Sequence, residues 1–152
     1  MYDRIIFVGN DNTCRGPMAE AIFRHLYKGN LLKTNIMSRG LVVVFEEPYN
    51  AKAIDILSDH GIEMEDGLTK QLGIEELGAN TLVLTMAFTD KLKIIEDYGF
   101  EENVYTLKEY IGNDDELLDP YGEDMDVYEA FYQDLYNAIV EVVAKFEEET
   151  ER

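Results

Sequence analysis

The feature that most constrains this chain is the join between an apolar run and a helical pattern near its start. Ile5, Ile6, Phe7 and Val8 are consecutive apolar residues, and Arg4–Val8 reads as a strand buried on both faces. Met18–Leu26 carries apolar residues at the three-and-four spacing of a helix. Between them lies a short polar loop, Gly9-Asn10-Asp11-Asn12-Thr13-Cys14-Arg15-Gly16-Pro17. A strand that passes directly into a helix in this way opens a β-α-β unit, and so a parallel sheet covered by helices. Pro17 is read as the first helical residue, where its missing N–H costs nothing.

The same alternation continues along the chain. Asn35–Ser38 is a weaker strand candidate ending at Arg39-Gly40, Thr81–Met86 a clear one, and Asn103–Thr106 a short fourth. Asn50 is placed to cap a helix that runs to about His60, with Gly61 after its end. Thr69–Leu77 reads as a short helix, and Thr89–Tyr98 as a longer one closed by Gly99. The last helix runs from Asp124 or Asp126 to Glu148, with Tyr128, Phe131, Tyr132, Leu135, Ile139, Val142, Val143 and Phe146 on its apolar face. Crowded aromatics on that face are core material. His25 is read as packing or solvent-facing, and Phe146–Arg152 as a fraying end. No repeat or flexible linker interrupts the 152 residues, which suit a single domain over 1–152.

In such sheets ligands sit beyond the carboxyl ends of the strands, which is where the loop after the first strand lies. A polar loop leading into a helix aims backbone N–H groups at one point, and the helix dipole adds positive potential there. Arg15 can close that cradle with a bidentate fork. The loop 9–16 is therefore an oxyanion-site candidate, with Gly9, Asn10, Asp11, Asn12, Thr13, Cys14, Arg15 and Gly16 as its phosphate-binding residues. No Gly-Lys-Ser/Thr follows it, and the dinucleotide fingerprint is missing.

Composition narrows the partners. The net charge is −19, so counterion release would oppose nucleic-acid binding. No apolar run reaches the length of a membrane span and no signal peptide opens the chain, so a cytoplasmic protein with no membrane partner is expected. With one cysteine and two histidines, an intrachain disulfide and thiolate metal clusters are excluded. No metal and no cofactor is called for. A further motif, Asp119-Pro120-Tyr121-Gly122, reads either as a turn or as a general acid held rigidly beside an aromatic.

Taken together, the two motifs resemble the low-molecular-weight protein tyrosine phosphatases. Their loop reads Cys-x-Gly-Asn-x-Cys-Arg-Ser-Pro after the first strand, and their acid sits in an Asp-Pro-aromatic segment before the last helix. Asn12, Cys14, Arg15 and Pro17 match the first, Asp119-Pro120-Tyr121 the second. Ser38-Arg39-Gly40, Asp59-His60-Gly61-Ile62 and Leu82–Met86 resemble the segments between. The resemblance implies one four-stranded parallel sheet in the order 2-1-3-4 with helices on both faces. It implies that Arg15 clamps phosphate, Asp119 is the catalytic acid, Asn12 holds the loop's shape, and Tyr121 and Phe45 wall the substrate pocket. The implied ligands are phosphate, a phosphotyrosine peptide or a small aryl phosphate.

The departures matter more. The family's nucleophilic cysteine falls at Gly9, which has no side chain to form a phospho-enzyme. Cys14 matches the second cysteine, and cannot stand in for the first. The serine that steadies the thiolate is Gly16, the loop glycine is Asp11, and a supporting histidine falls at Gly67. Hydrolysis by the cysteinyl route is expected to be absent or very weak. Two origins stay open: a natural non-catalytic relative, favoured by the joint loss of cysteine, serine and histidine, or an active phosphatase whose cysteine has been replaced. Arsenate reductases of this fold need several cysteines, so that activity is excluded.

Overall fold

The computed structural model describes residues 2–64 and 67–150. Four parallel strands, β1 (Arg4–Gly9), β2 (Asn35–Gly40), β3 (Thr81–Thr85) and β4 (Val104–Thr106), form one sheet in the order β2-β1-β3-β4. β1 lies inside the sheet, paired on both edges, with Phe7 level with Ser38 on one side and Leu84 on the other. That position explains its unbroken apolar run, since strands covered on both faces need no polar alternation.

Alternate residues of β1 feed two cores. Ile5 and Phe7, with Leu82 and Leu84, face the larger one, shared with α1 (Arg15–Leu26), α2 (Ala51–Asp59) and α5 (Met125–Thr150). Ile6, Val8 and Val83 face the smaller one with Ile94 of α3 (Phe88–Tyr98) and Val104. Helices therefore cover both faces. In α5 the buried positions Tyr128, Phe131, Tyr132, Leu135, Ile139, Val142, Val143 and Phe146 are those the periodicity selects. Phe146 packs edge-on against Phe23 at 5.4 Å between ring centroids, tying the last helix to the first.

The helix ends follow local chemistry. The Asn50 side chain accepts from the Lys52 and Ala53 N–H groups at 2.9 and 3.1 Å, capping α2. Gly61 and Gly99 follow α2 and α3 with φ of 74° and 66°, the left-handed conformation that ends a helix. Asp124 caps α5 through the Val127 N–H at 3.1 Å. α1 starts at Arg15, so Pro17 is its third residue rather than its first, still among the N–H positions with no partner inside the helix.

Thr69–Leu77 is not a helix: only Ile74–Glu76 makes a 3-10 turn. Residues before it run extended, with Gln71 bridged to Gly40 and Leu68 to Pro48. The Leu72 N–H donates to Gly40 O at 2.8 Å and the Thr69 N–H to Glu47 O at 2.8 Å, so partners across the chain satisfy the backbone that a helix would have satisfied locally. A four-residue helix, α4 (Leu107–Tyr110), was not anticipated. Its signal is Thr106-x-x-Glu109: the Thr106 hydroxyl accepts from the Glu109 N–H at 3.1 Å and the Glu109 carboxylate from the Thr106 N–H at 2.8 Å.

Candidate active site

The loop between β1 and α1 is held by its main chain. The Leu41 and Val42 N–H groups donate to Asn10 O at 2.9 and 2.8 Å, and the Asn50 N–H donates to Thr13 O at 2.8 Å. The Met86 N–H donates to Val8 O at 2.9 Å, which brings the end of β3 beside Gly9. Asn12 has φ of 62°, a left-handed conformation that asparagine tolerates better than most residues. These constraints wrap residues 9–16 around a cavity of about 150 Å³, completed by Met86, Asp119 and Tyr121. Every residue of the predicted phosphate loop lines it, and so do the predicted acid and Tyr121.

Arg15 and Asp119 meet across 104 positions of sequence, with Nη2 and Oδ2 3.8 Å apart. Arg15 also donates through Nη1 to Leu117 O at 3.3 Å, which anchors the guanidinium to the segment that carries the acid. The Asp119 carboxylate accepts from the Tyr121 N–H through Oδ1 at 3.1 Å, fixing its rotamer. The carboxylate side chain is 59% exposed and the arginine 16%, so the acid is far more open to solvent than the clamp. Behind Arg15, Asp90 sits buried in the first turn of α3. Burial pushes its carboxyl above the usual range, and the Arg15 charge opposes that rise.

Gly9 is buried, and a Cβ built there meets nothing nearer than Met86 Cγ at 3.6 Å. The backbone at position 9 thus has room for a side chain and lacks one. Cys14 does not compensate. It is 5% exposed, its Sγ lies 3.9 Å from Met18 Sδ, and burial pushes its thiol up to about 11. A thiol that holds its proton at neutral pH is neither a nucleophile nor a metal ligand.

Buried polar groups behind the loop lack partners. Asn12 Nδ2, Asn12 Oδ1 and Ser38 Oγ are buried without hydrogen-bond partners. A Cβ at Gly16 would stand 3.5 Å from Asn12 Oδ1 and 3.7 Å from Ser38 Cβ, so a hydroxyl at position 16 would serve both. At Gly67 the Tyr49 ring fills the side-chain space, with Oη 2.9 Å from a Cβ built there. Phe45, expected as a second pocket wall, does not line the cavity and is 71% exposed. After the Val42 bond to Asn10 the chain passes to Pro48, which is bridged to Leu68. Met86 was missed by the sequence reading, although its place just after a strand at the same sheet edge was a usable signal.

A larger cavity, about 870 Å³, lies between α1, β2 and residues 62–64 and 67–70. It mixes Arg24, Arg39 and Lys70 with Glu20, Glu46 and Glu63, and two of its arginines are already paired, with Glu20 and Glu76. Size alone does not make it the site: the charged pair and the helix N-terminus converge on the smaller cavity. Among the described residues there is no cluster of metal-ligating side chains, and no helix is long and apolar enough to cross a membrane.

Comparison with known proteins agrees with this geometry. A family model described as low molecular weight phosphotyrosine protein phosphatase matches residues 4–152. The low molecular weight protein-tyrosine-phosphatase PtpB of Staphylococcus epidermidis is 35% identical over 144 residues, covering 95% of this chain and 99% of the relative. The structure of a low molecular weight protein tyrosine phosphatase from T. tengcongensis aligns with a TM-score of 0.85 at 34% identity, over 93% of this chain and 98% of that one. YwlE arginine phosphatase from Geobacillus stearothermophilus aligns with a TM-score of 0.84 at 30% identity, over 96% and 94%. The chain belongs to the low-molecular-weight protein tyrosine phosphatase family.

Proposed function

We propose that this chain binds a phosphoryl group, as inorganic phosphate, an aryl phosphate or a phosphotyrosine peptide, in the loop 9–16, and does not turn it over by the cysteinyl route. The reading rests on one observation. Arg15, Asp119 and the loop share a cavity of about 150 Å³, while the loop's first position, beside Met86, is a glycine. The loop and the N-terminus of α1 would hold the equatorial oxygens, with Arg15 as the clamp. Tyr121, 68% exposed at the mouth, would flank an aryl leaving group. Asp119 has its proton-transfer position, but no bond to phosphorus forms from position 9, so there is no intermediate for it to resolve.

Calorimetry with inorganic phosphate and phenyl phosphate, beside turnover of p-nitrophenyl phosphate, tests both halves. Absence of binding at millimolar ligand overturns the site. Turnover near ~10 s⁻¹, the usual enzyme value, overturns the loss of hydrolysis. A second reading places the phosphoryl group on a guanidine nitrogen. YwlE is described as an arginine phosphatase, and the favouring observation is that Asp11 and Asp119, which would attract a guanidinium, both line the cavity. Phosphotyrosine and phosphoarginine in one peptide sequence separate the two.

A further inference from the structure

We infer that Asp11 sets the charge of the ligand, so that this cradle discriminates against doubly charged oxyanions in favour of singly charged ones. The inference rests on the reading of loop 9–16 as an anion site and adds a specificity that the reading does not contain. The cavity is lined by two carboxylates, Asp11 and Asp119, against the single guanidinium of Arg15. That guanidinium is already shared with Asp119 at 3.8 Å. Asp11 accepts from the Thr13 N–H at 3.2 Å and from the Thr13 hydroxyl at 3.0 Å. One loop amide and one loop hydroxyl thus already face a carboxylate, and an incoming oxyanion meets that negative charge within the ring of donors. A second unit of charge on the ligand is repelled once more by Asp11 and gains no second cation in return. The net charge of −19 acts in the same direction at longer range.

Two substitutions isolate the charge from the geometry. Asp11→Asn keeps an oxygen that can accept from Thr13 and removes the charge, while Asp11→Gly removes both. The probes are tungstate and perrhenate, tetrahedral oxyanions of closely similar size that carry two charges and one. Calorimetric affinities for both are compared in the wild type and the two variants, with Arg15→Ala as the control for binding at this site. In Asp11→Asn the affinity ratio of tungstate to perrhenate should rise about tenfold over the wild-type ratio, the effect of one carboxylate on one extra charge at several ångströms. Tungstate binding that is undetectable in the wild type and measurable in Asp11→Asn supports the inference when perrhenate affinity rises less, and overturns it when perrhenate affinity rises as much.

An unchanged ratio in Asp11→Asn overturns it. So does a change seen only in Asp11→Gly and equal for the two anions, which would make Asp11 a loop brace. If neither anion binds the wild type or either variant, the anion site itself fails. That outcome is distinct from binding without charge discrimination.

Discussion

Restoring a cysteine at position 9 is the sharpest test of a site that has lost only its nucleophile. The backbone accepts it: Gly9 is not in the left-handed region, and a Cβ there meets Met86 Cγ at an ordinary 3.6 Å. Adding a side chain to a glycine that needs no special conformation stabilises by about 0.4–1 kcal/mol through the unfolded chain, so Gly9→Cys should fold at least as well as the parent. The activity gain follows from the parts that remain. Removing a serine-protease nucleophile costs about 10⁶ in kcat. Against that full restoration stand two deficits. Gly16 supplies no hydroxyl to the thiolate, a charged hydrogen bond worth about 1.5–3 kcal/mol, or roughly 10- to 100-fold. Asp11 adds a carboxylate beside the developing charge, which costs about another tenfold. Hydrolysis of p-nitrophenyl phosphate should therefore rise about 10³–10⁴-fold over the parent, with a burst of nitrophenol that reports the cysteinyl-phosphate. Adding Asp119→Ala should then lower kcat by about 10²–10⁴ as leaving-group protonation is lost. A Gly9→Cys protein that folds, binds phosphate and stays within tenfold of the parent would refute the reasoning, because it would place the defect in the loop and not at the missing atom.

Other perturbations read other parts of the site. Arg15→Ala should abolish the thermal shift given by phosphate and lower the melting temperature without ligand by a few degrees, since it gives up an exposed carboxylate, one hydrogen bond to Leu117 O and the charge facing buried Asp90. Gly16→Ser should place a hydroxyl near Asn12 Oδ1 and Ser38 and stabilise by about 1 kcal/mol, read as a rise of ~2–4 °C by calorimetry; a fall would mean that the 3.5 Å spacing is too tight for the hydroxyl. Cys14 gives a pH prediction. Burial raises the folded thiol from 9.0 to about 11, so the folded state holds the proton more tightly than the unfolded chain. Its contribution, about 3 kcal/mol, is complete below pH 9 and is lost as pH rises towards 11. Urea midpoints across that window should fall in the parent and fall less in Cys14→Ala.

Much of this fold was legible because its signals are local. The continuous apolar runs at Ile5–Val8 and Leu82–Leu84 mark strands that the sheet buries on both faces. Asn50, Gly61 and Gly99 mark helix ends by side chain and by φ. The failures are where distant partners decide. Residues 68–72 carry helix-compatible side chains, yet Gly40, Glu47 and Pro48 offer them backbone partners that no local pattern encodes. The site divides similarly. Arg15 and Asp119 were brought together by likeness to a family, because nothing in the spacing of two residues so far apart announces their meeting. Asp11 was visible as an acidic intruder, but its hold on Thr13 depends on the left-handed turn at Asn12, a backbone event that the sequence permits without declaring.

If the chain binds a phosphoryl group without turning it over, as proposed, the loop's construction accounts for the separation. The donors of the cradle are main-chain N–H groups, and their direction is set by the β1–α1 junction, by bonds from residues 41, 42 and 50, and by Asn12. Those same bonds satisfy the backbone at the edge of the sheet, so they persist for reasons of folding whatever residue stands at position 9. A nucleophile at position 9, by contrast, would be one side chain whose Cβ meets Met86 Cγ at 3.6 Å. A glycine there leaves the proposed oxyanion site standing, and the charge of the loop then acts on the ligand alone. A thiolate nucleophile must share the cradle with its phosphoryl group, and a carboxylate at position 11 opposes both. Once no thiolate forms, Asp11 opposes only the ligand, and its contact with Thr13 becomes an acceptable way to close the turn. Gly9 and Asp11 are therefore coupled. In the Gly9→Cys background, Asp11→Gly should raise kcat by about tenfold, whereas in the parent it should alter anion affinity alone. Equal effects on anion affinity in both backgrounds, with no change in kcat, would show the two positions to be independent.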